Sequence, residues 1–154
     1  MNEPLTFTVD RATWAVGGFT QLKISKDSKY SKVPDDTKNG KMCCLGFYIE
    51  QLADGTDNTL AGIDTPSEFC SELRYTNDTI PDAIRRLVRF DWNERNGQDY
   101  WIWHNNDKTL QLMNINDKDE SEFDDMTREE LLTKYFADIG VTVNFIGEFP
   151  QEEN

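Results

Sequence analysis

Eight carboxylates crowd into fourteen positions of this chain: Asp117, Asp119, Glu120, Glu122, Asp124, Asp125, Glu129 and Glu130, with Lys118 and Arg128 as the only bases among them. Carboxylates at this density hold a hard cation, act as acid and base on a substrate, or present negative charge to a basic partner. The cation reading meets a clear obstacle. Asp117, Asp119 and Ser121 fill the first, third and fifth places of an EF-hand-like loop, but Glu122 stands where glycine is needed and Arg128 where the closing glutamate is needed. A weak surface cation site is the most that reading leaves. No complete catalytic signature accompanies the run, so charge presentation is the expected role. Its carriers are Asp117, Asp119, Glu120, Glu122, Asp124 and Asp125.

A second set of residues could do thiol chemistry. Cys43 and Cys44 are adjacent at the start of a helical pattern, where the helix dipole favours thiolate, and His104 is the one histidine available as a base. Asp107 or Asn116 could orient that histidine, giving a cysteine-dependent hydrolase as the enzymatic alternative. The opposing expectation is that buried cysteine behaves as a small apolar side chain. Zinc would need all of Cys43, Cys44, Cys70 and His104, yet neighbours on a helix diverge by about 100° and cannot readily share one ion. No metal and no cofactor is expected. Arg85, Arg86 and Arg89 make a compact basic group that could grip an anion, or pair with acids such as Asp82 on a solvated face. Trp101 and Trp103 fall on the same face of a strand, opposite Tyr100 and Ile102, so one of the two apolar faces is free to meet a partner.

The whole chain of 154 residues carries a formal charge of −13, and residues 117–154 hold 12 acids against 3 bases. Residues 21–42 run the other way, with six lysines against three acids. A field of that sign repels nucleic-acid phosphates and anionic membranes and favours a basic protein surface. Net charge also keeps a protein soluble without any partner, which is the plainer reading. At 37% hydrophobic and 12% aromatic residues the chain is too apolar for a disordered polymer and long enough for one domain, 1–154. No apolar run approaches a membrane span, the first ten residues lack a basic leader, and three cysteines make a poor disulfide framework, so a cytoplasmic location is expected.

The elements that must position these groups read as α+β. Leu5 to Val9 alternates as a half-buried strand, and residues 25–41 read as a mobile, lysine-rich loop. Met42 to Ala53 is predicted to be the central buried helix, with Gly46 marking a close backbone approach. A helix is expected from Pro81 to Phe90, then a turn-like stretch from Asp91 to Gln98. A hairpin should follow, formed by a strand over 100–103, a turn at Asn105 to Asp107 and a strand over 109–115. Thr127 and Glu130 fit a capping box opening a helix that Gly140 ends, before a closing strand over 141–146 and an acidic tail over 147–154. The expected architecture is a small, mostly antiparallel sheet from the opening, 100–115 and closing strands, with two main helices packed on it.

In this order the segments Val9-Asp10-Arg11-Ala12-Thr13-Trp14, Met42-Cys43-Cys44-Leu45-Gly46-Phe47, Leu60-Ala61-Gly62 to Pro66 with Ile80-Pro81, and Met113-Asn114-Ile115-Asn116-Asp117 with the helix and Gly140 to Ile146 strand resemble an uncharacterised family of small phage and prophage proteins. The resemblance covers most of the chain and departs at the lysine-bearing loop and at the aromatic stretch 100–104. It implies a phage or prophage origin and a small α+β fold, and carries over no activity. Joined to the acidic far end, it suggests a non-enzymatic protein that binds and inhibits a host defence or DNA-processing protein by imitating nucleic-acid charge. An accessory or virion-associated protein is the alternative.

Overall fold

A computed structural model describes residues 5–17, 21–24, 40–53, 57–76, 78–95, 97–118 and 124–150. In chain order they form β1 (Leu5–Asp10), a 3-10 turn (Arg11–Thr13), α1 (Cys44–Leu52), α2 (Asp57–Leu60), α3 (Pro66–Glu72), α4 (Asp82–Arg85), β2 (Val88–Arg95), β3 (Gln98–Asn105), α5 (Asp107–Asp117), α6 (Asp125–Asp138) and β4 (Val141–Ile146). The class is α+β. No helix among the described residues is long and apolar enough to cross a membrane.

The sheet differs from the expected one. Among the described residues there are two two-stranded sheets: β1 pairs in parallel with β4, from Leu5 opposite Val141 to Asp10 opposite Ile146, while β2 and β3 form an antiparallel hairpin. The first and last strands thus lie side by side, and the helices supply the crossover that a parallel pair requires. Phe7 and Val9 point inward from β1, and Phe7 meets Tyr48 of α1 and Phe136 of α6 edge to face, with ring centroids 5.3 and 4.9 Å apart. Beyond that core, the Gln51 side chain behaves as a short piece of strand. Its Oε1 accepts from the Thr8 amide at 2.8 Å and its Nε2 donates to the Thr8 carbonyl at 2.6 Å.

Residues 109–115 are helical in α5, not a strand. Thr109, Leu112, Ile115 and Asn116 are buried while Leu110 and Gln111 are exposed, a period near 3.6 that places one face on the core. Leu110 and Leu112 share a face only in a strand, whereas Thr109, Leu112, Ile115 and Asn116 share one in a helix, and Asn105-Asn106-Asp107 leads into that helix with Asn106 at its N-cap. The expected helix from Pro81 to Phe90 stops at Arg85, because Val88 and Phe90 turn toward the core in alternation with Arg89. The hairpin is therefore β2–β3, with Arg95 opposite Gln98 and Gly97 at φ +77°, the left-handed backbone such a tight turn needs. At α6 the cap is Asp124, whose carboxylate accepts from the Thr127 amide at 2.7 Å, so Thr127 sits inside the helix and is not its cap.

α1 is buried from Cys44 to Ile49, as expected of the central helix. The extended strip 21–24 crosses it: Leu22 N–H donates to the Ile63 carbonyl, Cys43 N–H to the Gln21 carbonyl, and Ile24 exchanges backbone hydrogen bonds with Gly40 and Lys41. Residues 25–39 of the expected mobile loop lie outside the described residues, as do residues 151–154 of the acidic tail. The tail's opening is packed, with the Phe149 ring stacked on Trp14.

A β-carbon on Gly46 would overlap the Leu22 carbonyl oxygen, which accounts for glycine in the middle of a buried helix. The obstacle is backbone, and it has no rotamer to give. Gly46→Ala gains about 1 kcal/mol of helix propensity but is expected to lose more by overpacking. The net destabilisation should be about 1–3 kcal/mol by urea unfolding. An unchanged midpoint would show that the strip yields.

Candidate functional site

The junction of α5 and α6, where the acid run lies, is organised by two buried polar side chains. Asn116, on the last turn of α5, is fully buried. Its Oδ1 accepts from the Trp14 indole at 2.8 Å and from the Cys44 amide at 3.0 Å, and its Nδ2 donates to the Ala15 carbonyl at 2.9 Å. Arg128, in the first turns of α6, is also fully buried. Its Nη1 donates to the carbonyls of Ile115 (2.6 Å) and Asn116 (2.9 Å), and its Nη2 to that of Lys118 (2.7 Å). These are carbonyls that the end of a helix leaves without intrahelical donors. No basic residue occupies the last turn of α5, so Arg128 supplies from α6 the positive charge that the helix end favours.

The acids around this knot have mixed employment. Glu129 receives a two-pronged contact from Arg11, Nη2 to Oε1 at 2.6 Å and Nε to Oε2 at 3.0 Å, while Arg11 Nη1 donates to the Gly147 carbonyl. That hydrogen bond with Glu129 is the main reason the Arg11 pKa is raised, and Asp125 adds to it at longer range. Asp124 caps α6, and the Thr127 amide holds its carboxyl below the usual range. Asp117 accepts from Asn116 Nδ2 at 3.1 Å. Glu130 is exposed. Asp119, Glu120 and Glu122 lie outside the described residues. The structure thus brings Asp117, Asp124 and Asp125 to one junction, and Arg128, one of the two bases within the run, is the residue whose place the sequence does not reveal. It faces inward onto carbonyls and does not oppose its acidic neighbours on the surface.

The aromatic pair divides. Trp103 is a core residue, 8% exposed, with its indole donating to the Tyr75 carbonyl at 3.0 Å and its ring 4.4 Å from that of Phe90, so it offers no face to a partner. Trp101 stands in β3 opposite Trp92, and its side chain lies outside the described residues. On the opposite face Ile102 is 37% exposed.

The basic group is also taken apart by the fold. Arg86 is half-buried, its Nη1 donating to the carbonyls of Ile139 and Gly140 at 3.1 Å each and its Nη2 meeting Asp82 at 3.2 Å. It does for the end of α6 what Arg128 does for α5. Gly140 serves this arrangement twice, by its left-handed φ of +77° and by lacking a β-carbon, which would approach Arg86 Nη1 to 2.9 Å. Arg89 is exposed and pairs with Asp91.

The cysteines are all free and buried. Burial pushes the Cys43 thiol up to about 12 against the partial help of the α1 amides, and raises Cys44 as well, with Asp117 adding to both. Cys70 is pushed up to about 12 by burial alone. A nucleophilic thiolate requires the opposite environment. His104 stands on the hairpin opposite Arg89. Among the described residues, no three His, Cys, Asp or Glu side chains gather as a metal-binding group. No protein-family model, curated protein or solved structure matches the chain.

Two outcomes follow from these environments. Removing the guanidinium in Arg128→Met takes a donor from three carbonyls, of which that of Asn116 keeps the Gly17 amide, and should destabilise the fold by about 3 kcal/mol or more in denaturant unfolding. Arg128→Lys should recover only part of this, since a point charge cannot serve all three. A loss under about 1 kcal/mol in the methionine variant would deny the knot its role. Thiol alkylation of the native protein near pH 8 should be far slower than in denaturant, with Cys44 the last to react. Rapid modification of native Cys44 would restore thiol chemistry.

Proposed function

We propose that this protein is a non-enzymatic binding protein of phage or prophage origin. It docks its acidic side on a basic surface of a host defence or DNA-processing protein and inhibits it by standing in for nucleic-acid phosphates. The observation that carries this reading is the distribution of charge. Residues 117–154 hold 12 acids against 3 bases, and the arginine inside the run, Arg128, is committed to backbone carbonyls in the interior. The positive charge that would otherwise offset the cluster at the surface is thereby withdrawn. Three buried thiols with raised or strongly raised pKa values add weight to a binding role over a cysteine-dependent hydrolase. The phage-family resemblance suggests the host side of the partnership and a cytoplasmic site of action. Repulsion of phosphate argues against nucleic acid or a membrane as the direct partner.

One observation favours a second reading, an accessory or virion-associated protein whose charge serves solubility. Asp117, Asp124 and Glu129 each have a partner within the fold, so part of the acid run does structural work. Affinity capture from host lysate separates the two. A basic partner should be retained at low salt and released at high salt, because screening shortens the reach of charge from about 10 Å at 0.1 M to about 3 Å at 1 M. Reversing Asp119, Glu120 and Glu122 to lysine should abolish capture without lowering Tm, with Asp124 kept because it caps α6. Capture that survives both high salt and charge reversal would remove charge mimicry. Presence of the protein in purified virions would favour the second reading.

A further inference from the structure

A sheet edge that meets water invites a further strand, and natural proteins guard such edges with charge, proline or a cover. Among the described residues, three of the strands are guarded. The outer edge of β1 is closed at Thr8 by the Gln51 side chain. β2 carries Arg89, Asp91, Glu94 and Arg95, and β3 carries Asp99. β4 differs. Its sequence, Val141-Thr142-Val143-Asn144-Phe145-Ile146, has no charge and no proline and is rich in β-branched and aromatic side chains.

The register shows which peptide groups of β4 are unspent. Leu5 N–H donates to the Gly140 carbonyl and Leu5 lies opposite Val141, so Thr142, Asn144 and Ile146 turn their peptide groups toward β1. Val141, Val143 and Phe145 turn theirs the other way, where no described residue bonds to them. Val143 keeps 6% exposure although its side chain belongs to the core, whereas Val9, whose peptide groups face β4, keeps none. The solvent face of the strand presents Thr142, Asn144 and Ile146, the last 52% exposed.

A second β4 fits this edge. Laid antiparallel about Val143, it pairs Val143 with its own counterpart and Val141 with Phe145, as a two-fold axis requires. In that register Thr142 opposes Asn144 and Ile146 opposes Gly140, both at positions without ladder hydrogen bonds, where side chains approach most closely. The exposed Ile146 then covers a residue that has no side chain. Within the strand no like charges meet, in a chain of formal charge −13. Past Ile146, Gly147 with φ +73° turns the backbone away and Phe149 goes to Trp14, so Glu148 does not extend the ladder.

We propose that the outer edge of β4 is a dimerisation surface, on which a second copy of this chain adds its own β4 to form one sheet in the order β1-β4-β4-β1. Two short strands bury little area, so the dimer belongs at the weak end of specific association, with Kd on the order of 10⁻⁵–10⁻⁴ M. Both copies are acidic, so screening strengthens the dimer, the reverse of the salt dependence of a basic partner. The surface is separate from the acid run, and neither reading depends on the other.

Sedimentation of the full chain between about 5 and 500 µM should show a monomer–dimer equilibrium, tighter at about 0.5 M salt than at about 0.05 M. Thr142→Glu combined with Asn144→Glu sets carboxylates opposite one another and should keep the chain monomeric. Thr142→Lys combined with Asn144→Lys should do the same although it lowers the net negative charge, and mixing the two double variants should restore a heterodimer. Both positions are exposed, so at low concentration each double variant should melt within about 4 °C of the wild type. Amide exchange at Val143 and Phe145 should slow as the wild-type concentration rises. A wild-type chain that stays monomeric over the whole range overturns the proposal and leaves the edge to an extended segment of another protein. Undiminished dimerisation of the lysine variant overturns it too, by placing the interface elsewhere. Should either double variant fail to fold, the concentration dependence of wild-type exchange at Val143 and Phe145 decides the question.

Discussion

The fold hangs on an exchange of hydrogen bonds between Arg128 and the end of α5, with Asn116 at its centre. A buried guanidinium is costly to desolvate and holds its place only when its donors are used well. Here Nη1 and Nη2 donate to three carbonyls from Ile115 to Lys118, leaving Nε buried without a partner, and the Asn116 side chain passes the connection on to Trp14, Ala15 and Cys44. Four segments distant in sequence meet at one residue: the turn after β1, the start of α1, the end of α5 and the start of α6. Apolar packing alone tolerates small slips between elements. A polar hub of fixed geometry does not, because each slip leaves a buried donor or acceptor unpaired.

Arg86 repeats the device at the other end of α6. Neither α5 nor α6 has a basic residue in its own last turn, and each borrows an arginine from elsewhere in the chain. Two of its arginines face helix ends, a third, Arg11, is paired with Glu129, and the exposed positions near the α5–α6 junction include the carboxylates Asp124 and Glu130, with Lys118 half-buried beside them. Stability and surface potential are thus set by the same residues. Arg128, which closes the end of α5, is thereby kept from pairing with the exposed carboxylates beside it.

Much of this was readable in the residues, and the failures have identifiable causes. α1 announced itself through the spacing of Met42, Leu45, Ile49 and Leu52, and Gly46 correctly signalled a backbone pressed against it. The closing helix and strand were legible from Leu132, Phe136 and the glycine stop at Gly140. Residues 109–115 read as a strand because Leu110 and Leu112 suggest a period of two, while the helical set Thr109, Leu112, Ile115 and Asn116 includes two polar residues whose burial only the tertiary structure reveals. The hairpin was misplaced although Asn96-Gly97, a strong turn signal, lay between its strands. Parallel pairing of β1 with β4 left no local trace, since strand order over such a distance is a property of packing. The role of Arg128 was hidden for the same reason, because an arginine among acids reads as their counter-ion until its neighbours in space are known.

The pairing of Leu5 with Val141 has a temporal meaning during synthesis. Those partners are separated by 136 positions, so β1 leaves the ribosome long before its hydrogen-bonding neighbour exists. At roughly 5–20 residues per second the wait is on the order of 10 s. Throughout that interval Phe7 and Val9, destined for the interior, have no β4 beside them, and one edge of the nascent strand stays open to whatever the cell offers. The Gln51 amide emerges within the first third of the chain and occupies the Thr8 peptide on its own side. It acts as an early guard on a strand whose true mate arrives last.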